Sequence, residues 1–117
     1  MEHTKLEAWK EAVELSVNIY SLTKEYPVEE MYGLKSQMSR AVVSIPSNIA
    51  EGSARKNTAE TVHFLYIALG SIAELETQVE ISKRLGFLND TKDLQKRILL
   101  VKQLTLGLIR YLKNVGK

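Results

Sequence analysis

Four stretches of helical hydrophobic periodicity, each closed by a turn signal and none alternating as a strand would, direct this chain to an all-α fold. The first spans about residues 4–25. Ala8, Ala12, Leu15, Ile19 and Leu22 follow 4-3-4-3 spacing, and Leu6, Trp9, Val13 and Tyr20 form a second stripe about 100° round the helix. Glu7, Glu11, Glu14 and Asn18 take the solvent side. Thr4 and Glu7 stand at capping-box spacing, and Tyr26-Pro27 ends the run because the residue before a proline avoids helical dihedrals. A second helix is predicted over about residues 34–52, with Leu34, Met38, Ala41, Val42, Ile45 and Ile49 on one face. Pro46 lies inside it, so the Val42 carbonyl loses its amide and a kink is expected. Gly52 fits the left-handed residue after a helix.

Asn57 then stands as an N-cap with Glu60 three positions on, opening a third helix over about residues 58–85. Its apolar arc (Phe64, Leu65, Ala68, Leu69, Ile72, Leu75, Val79) covers nearly half the circumference, with Ile67, Ile81 and Leu85 outside it. Gly70-Ser71 reads as a close helix contact. Gly86 and Asn89-Asp90 make the next turn, and the fourth helix occupies about residues 91–114. Short links between long helices predict an antiparallel four-helix bundle, one domain over residues 1–117.

Composition removes most catalytic chemistries. With no cysteine among 117 residues, disulfides, thiolate metal sites and cysteine nucleophiles are excluded. The two histidines are His3 and His63. Glu60-Thr61-Val62-His63 is half of a carboxylate-bridged di-iron pattern, but no second Glu-x-x-His exists, so no metal or cofactor is expected. Ser39, Ser44, Ser47, Ser53 and Ser71 lack the strand-turn-helix elbow and histidine supply of a triad, and no glycine-rich nucleotide loop occurs. A non-enzyme is the expectation. The N-terminus lacks the pattern of a signal peptide, and the longest uncharged run, residues 61–73, is only 13 long. A cytoplasmic, soluble protein without a membrane partner follows. Arg40 borders the apolar face of the second helix, and Glu76 falls in that of the third. With Glu74 they are candidates for an ion pair that sets helix register, or for a ligand-binding pair in a cleft at one end of the bundle. Glu51 is positioned to meet Arg55 and Lys56.

Charge is unevenly distributed. Residues 1–82 carry 7 basic and 12 acidic side chains, residues 83–117 carry 9 and 2. On the fourth helix Lys92, Lys96, Lys102, Arg110, Lys113 and Lys117 fall within an arc of about 120°, opposite Leu94, Ile98, Val101, Leu108 and Leu112. Leu99 and Leu106 share the basic face, where a bundle core does not reach. Such a stripe fits a nucleic-acid backbone or the acidic first helix of a neighbouring subunit, and less well a membrane surface. Tyr111, the one aromatic on this helix, lies off the stripe, which favours phosphate contact over base stacking.

Tyr32-Gly33-Leu34, Gln37, the run from Arg40 through Gly52, Arg55, Phe64-Leu65, Ala68-Leu69-Gly70-Ser71 and Glu74-Leu75-Glu76 resemble the signature of the four-helix bundle family encoded in bacterial 23S rRNA intervening sequences. Trp9, Ala12 and Tyr26-Pro27 match its first helix, while Thr61 stands where relatives usually carry an aromatic. The chain also looks like the accessory protein of diversity-generating retroelements, a basic pentamer that binds reverse transcriptase and nucleic acid. The resemblance implies a ring, typically a pentamer, with no catalytic residues. It makes the chain itself, RNA or DNA, and a reverse transcriptase or ribosomal component the expected partners.

The expected function is therefore a non-enzymatic oligomer that binds RNA or a nucleoprotein through Lys92, Lys96, Lys102, Arg110, Lys113, Arg55 and Lys56. Leu99, Leu106, Ile67 and Trp9 are the candidate subunit contacts. A pure scaffold is the alternative, and a metal-dependent bundle enzyme ranks below both.

Overall fold

A computed structural model describes residues 1–115. Among them lie four helices, α1 (Glu7–Thr23), α2 (Leu34–Ser53), α3 (Thr58–Arg84) and α4 (Lys92–Val115), two short 3₁₀ turns, and no strand. Each helix packs on the next and α4 returns to α1, whereas the backbones of the diagonal pairs stay apart across the shared core. Contacts near the ends fix the directions. Tyr26, just past α1, reaches Met38 near the start of α2, Ser82 near the end of α3 reaches the same methionine, and Lys113 near the end of α4 reaches Tyr66 near the start of α3. The result is an up-and-down antiparallel bundle 48 × 25 × 20 Å, the long axis fitting a 27-residue helix at about 1.5 Å per residue.

The periodic positions become the core. Leu15, Ile19, Met38, Ile45, Ile49, Leu65, Ile72, Leu75 and Ile98 are fully buried. On α4 the inward line is Leu94, Ile98, Val101, Thr105 and Ile109, with Leu108 and Leu112 only half-buried beside it. Thr105 satisfies its hydroxyl by donating to Val101 O at 2.8 Å, so it costs the core little.

The helix ends follow local chemistry, with two corrections. Asn57 Oδ1 accepts from the Ala59 and Glu60 amides at 2.8 and 3.2 Å, as its position predicts. Gly86 adopts φ +83°, and bonds from Gly86 N to Lys83 O and from Phe87 N to Ser82 O close α3 in a Schellman motif. The capping box at Thr4 and Glu7 does not form. Thr4 lies in a 3₁₀ turn held by Glu2 Oε1, and α1 starts from Leu6, which packs on the core instead of capping. Gly52 is not a left-handed cap either. It is helical, and a Cβ there would stand 3.0 Å from Phe64 Cβ and 3.1 Å from Thr61 O. Its missing side chain is what lets α3 approach α2. Thr61 is buried at this crossing and donates to Gly52 O at 2.9 Å, so its hydroxyl is satisfied within the α2–α3 contact.

Gly70 is also not a close helix contact, since nothing lies within 4 Å of a Cβ built on it. Its neighbour Ser71 makes the crossing: Ser71 Oγ and Ser44 Oγ are 2.8 Å apart, and Asn48 Nδ2 donates to Ser44 O and Oγ.

Candidate functional site

The outer side of α4 and the neighbouring edge of α3 carry most of the residues singled out by the sequence. Lys92, Lys96 and Arg110 are exposed on the outward face of α4, and among the described residues none has a carboxylate within ion-pair distance. From Lys92 to Arg110 the line is about 27 Å long. Leu99 lies between them, 49% exposed, and Leu106 is half-buried rather than outside the reach of the bundle. Lys117, the last member of the expected stripe, lies outside the described residues.

The side of the stripe next to α3 is engaged. Lys102 Nζ is 3.9 Å from Glu76 Oε1, with both side chains more than 40% exposed. That pair takes the place of the register-setting ion pair expected of Arg40, Glu74 and Glu76. Among the described residues no ion pair joins Arg40 to either glutamate. All three side chains are exposed, and Glu76 lies at the rim of the α3–α4 seam and not in the core. Arg40 and Glu74 line a shallow groove between α2 and α3 with Gln37 and Ser44, without meeting.

At the end of the bundle where α2 and α4 finish and α3 begins, Lys113 Nζ donates to Tyr66 Oη at 2.9 Å. Arg55 donates to Glu51 Oε1 at 3.0 Å and lies 4.7 Å from the centre of the Phe64 ring, while Lys56 is exposed. The expected contact of Glu51 with the turn thus forms through Arg55. Tyr66 was not singled out by the sequence. Its partner Lys113 is 47 residues away, and neither helix taken alone signals the pair.

A second surface mixes apolar and small side chains with the charged Glu74 and Arg84. On the outward side of α3, Tyr66, Ile67, Gly70, Ala73, Thr77 and Ile81 are exposed. Trp9 is turned into its own chain, half-buried against the core with the His3 ring at its edge, 5.2 Å between centroids. His63 is exposed beside Phe64, and among the described residues no group of three His, Cys, Asp or Glu side chains converges as a metal site. No helix among the described residues is long and apolar enough to cross a membrane.

Comparison with known proteins agrees with this architecture. No curated protein matches the chain. A crystal structure of a protein of unknown function from the S23 ribosomal protein family of Bacteroides thetaiotaomicron superposes with a TM-score of 0.62 at 19% identity, covering 94% of this chain and 98% of that one. At that identity the likeness is one of fold. The family model of the 23S rRNA-intervening sequence protein matches residues 4–107, nearly the whole bundle. The chain therefore belongs to the 23S rRNA-intervening sequence protein family.

Proposed function

We propose that this protein is a non-enzymatic bundle that assembles into a ring and binds RNA through the outer face of α4. The observation that carries the reading is the line Lys92, Lys96 and Arg110, exposed and without a carboxylate partner among the described residues. A row of unneutralised cations on a rigid helix lowers the free energy of a polyanion by releasing its condensed counterions, without base specificity. Lys113 and Lys56 extend the positive surface toward one end of the bundle, and Lys102 and Arg55 lie beside it, each paired with a glutamate. DNA, or a nucleoprotein such as a ribosomal component or a reverse transcriptase, presents related chemistry.

Ring assembly, a pentamer by family resemblance, is supported by the exposed apolar side chains Ile67 and Ile81 on the outer face of α3. Exposed apolar side chains repeated by rotation can close a ring through heterologous contacts, with Ile67 on α3 and Leu99 and Leu106 on α4 as candidate members.

Fluorescence anisotropy with a labelled RNA at several salt concentrations, combined with light scattering, tests the proposal. The logarithm of affinity should fall linearly with the logarithm of salt, and Lys96→Ala with Arg110→Ala should lessen the slope by about 2. Salt-insensitive binding, or none at low salt, overturns it. A scaffold reading has one observation in its favour, the acidic side of α1 at Glu7 and Glu14, to which a neighbouring α4 could dock. Charge reversal on α4 would then dissociate the oligomer without RNA present.

A further inference from the structure

The end of the basic stripe carries an aromatic from another helix. Tyr66 of α3 and Lys113 of α4 flank an open groove of about 500 Å³, floored by Val62 and Leu112 and edged by Thr58 and His63. Tyr66 is 48% exposed. Lys113 Nζ stands 2.9 Å from the phenol oxygen and 5.1 Å from the ring centroid. Those two distances put the ammonium beyond the hydroxyl and not above the ring, so it leaves the ring face uncovered. Arg110 precedes Lys113 by three residues, a spacing that puts the two side chains side by side, about 5–6 Å apart at Cβ.

We infer that this groove receives one unpaired nucleobase, stacked on the face of Tyr66, with its flanking phosphates held by Lys113 and Arg110. The inference rests on the reading of α4 as a nucleic-acid surface and narrows it to RNA with a single-stranded segment. A duplex hides its base faces, whereas a looped or terminal base can swing out onto an aromatic ring. The apolar floor of Val62 and Leu112 suits a base and offers nothing to a phosphate. The cations at the rim are continuous with the stripe that would track the backbone.

Anisotropy with a short single-stranded RNA carrying 2-aminopurine, and with the duplex it forms with its complement, tests the inference, with circular dichroism as a check of folding. Tyr66→Ala should weaken single-strand binding at least about fivefold, leave the salt slope unchanged and spare the duplex. Tyr66→Phe should retain wild-type affinity, and 2-aminopurine fluorescence should be quenched by the wild type but not by Tyr66→Ala. Unchanged single-strand affinity in folded Tyr66→Ala, or equal losses for duplex and single strand, overturns the stacking site. In that event a smaller salt slope in Lys96→Ala with Arg110→Ala leaves the broader RNA reading standing. Absence of all binding at low salt defeats both.

Discussion

Ser16 Oγ of α1 lies 3.3 Å from Val42 O of α2, the carbonyl that Pro46 leaves without its helical amide. The same hydroxyl is 2.9 Å from Ala12 O in its own helix, so it is shared between the two acceptors. α2 consequently runs from Leu34 to Ser53 through a buried proline, the orphaned acceptor being served from the neighbouring helix.

A double-mutant cycle can isolate this arrangement. Ser16→Ala should cost about 0.5–1 kcal/mol in urea unfolding. In a Pro46→Ala background, where residue 46 regains an amide for Val42 O, the same substitution should cost measurably less. Equal costs in both backgrounds would show that the Ser16 hydroxyl serves only Ala12.

Two helical glycines should respond with opposite signs. Gly52→Ala drives a Cβ to 3.0 Å from Phe64 Cβ and 3.1 Å from Thr61 O. Separating α2 from α3 there should cost about 1–3 kcal/mol. Gly70→Ala meets nothing within 4 Å and should stabilise the helix by about 0.5–1 kcal/mol. Thermal unfolding of the two variants checks both signs. A fall in oligomer mass for Gly70→Ala would mark that face as a subunit contact.

Burial pushes the Tyr26 phenol above its ordinary value near 10, partly offset by the Ser82 hydroxyl. Above that ordinary value the unfolded chain releases this proton while the folded chain keeps it. Stability should therefore decline as pH rises beyond about 10. Tyr26→Phe removes this group and should flatten the decline, as measured by denaturant midpoints across the alkaline range.

Glu76 restrains one cation of the basic face through its 3.9 Å contact with Lys102. Because the pair is exposed, Glu76→Gln should change stability by less than about 1 kcal/mol. Freed of its carboxylate, Lys102 becomes available to a phosphate, so RNA affinity should rise a few-fold at low salt and the rise should vanish at high salt.

Much of the fold could be read from local patterns. The four helices match their predicted spans to within a few residues because apolar spacing, the Asn57 cap and the Gly86 turn act over one or two helical turns. The candidate site was readable only where one helix sufficed, as for Lys92, Lys96 and Arg110. The expected partner of Arg40 failed because a helical wheel gives an angle but no depth, and the rim of the α3–α4 seam is solvated at Glu76.

Sequence by itself determined the all-α class, the helix ends at Asn57 and Gly86, the buried stripes and the outward cations of α4. These depend on contacts between residues close along the chain. Tertiary structure alone decided that Gly52 is a contact and not a cap, that Ser16 serves the carbonyl Pro46 orphans, that Glu76 takes Lys102, and that Tyr66 meets Lys113. Each of these joins two helices, and their pairing is set by how whole faces pack, which no single stretch of chain encodes.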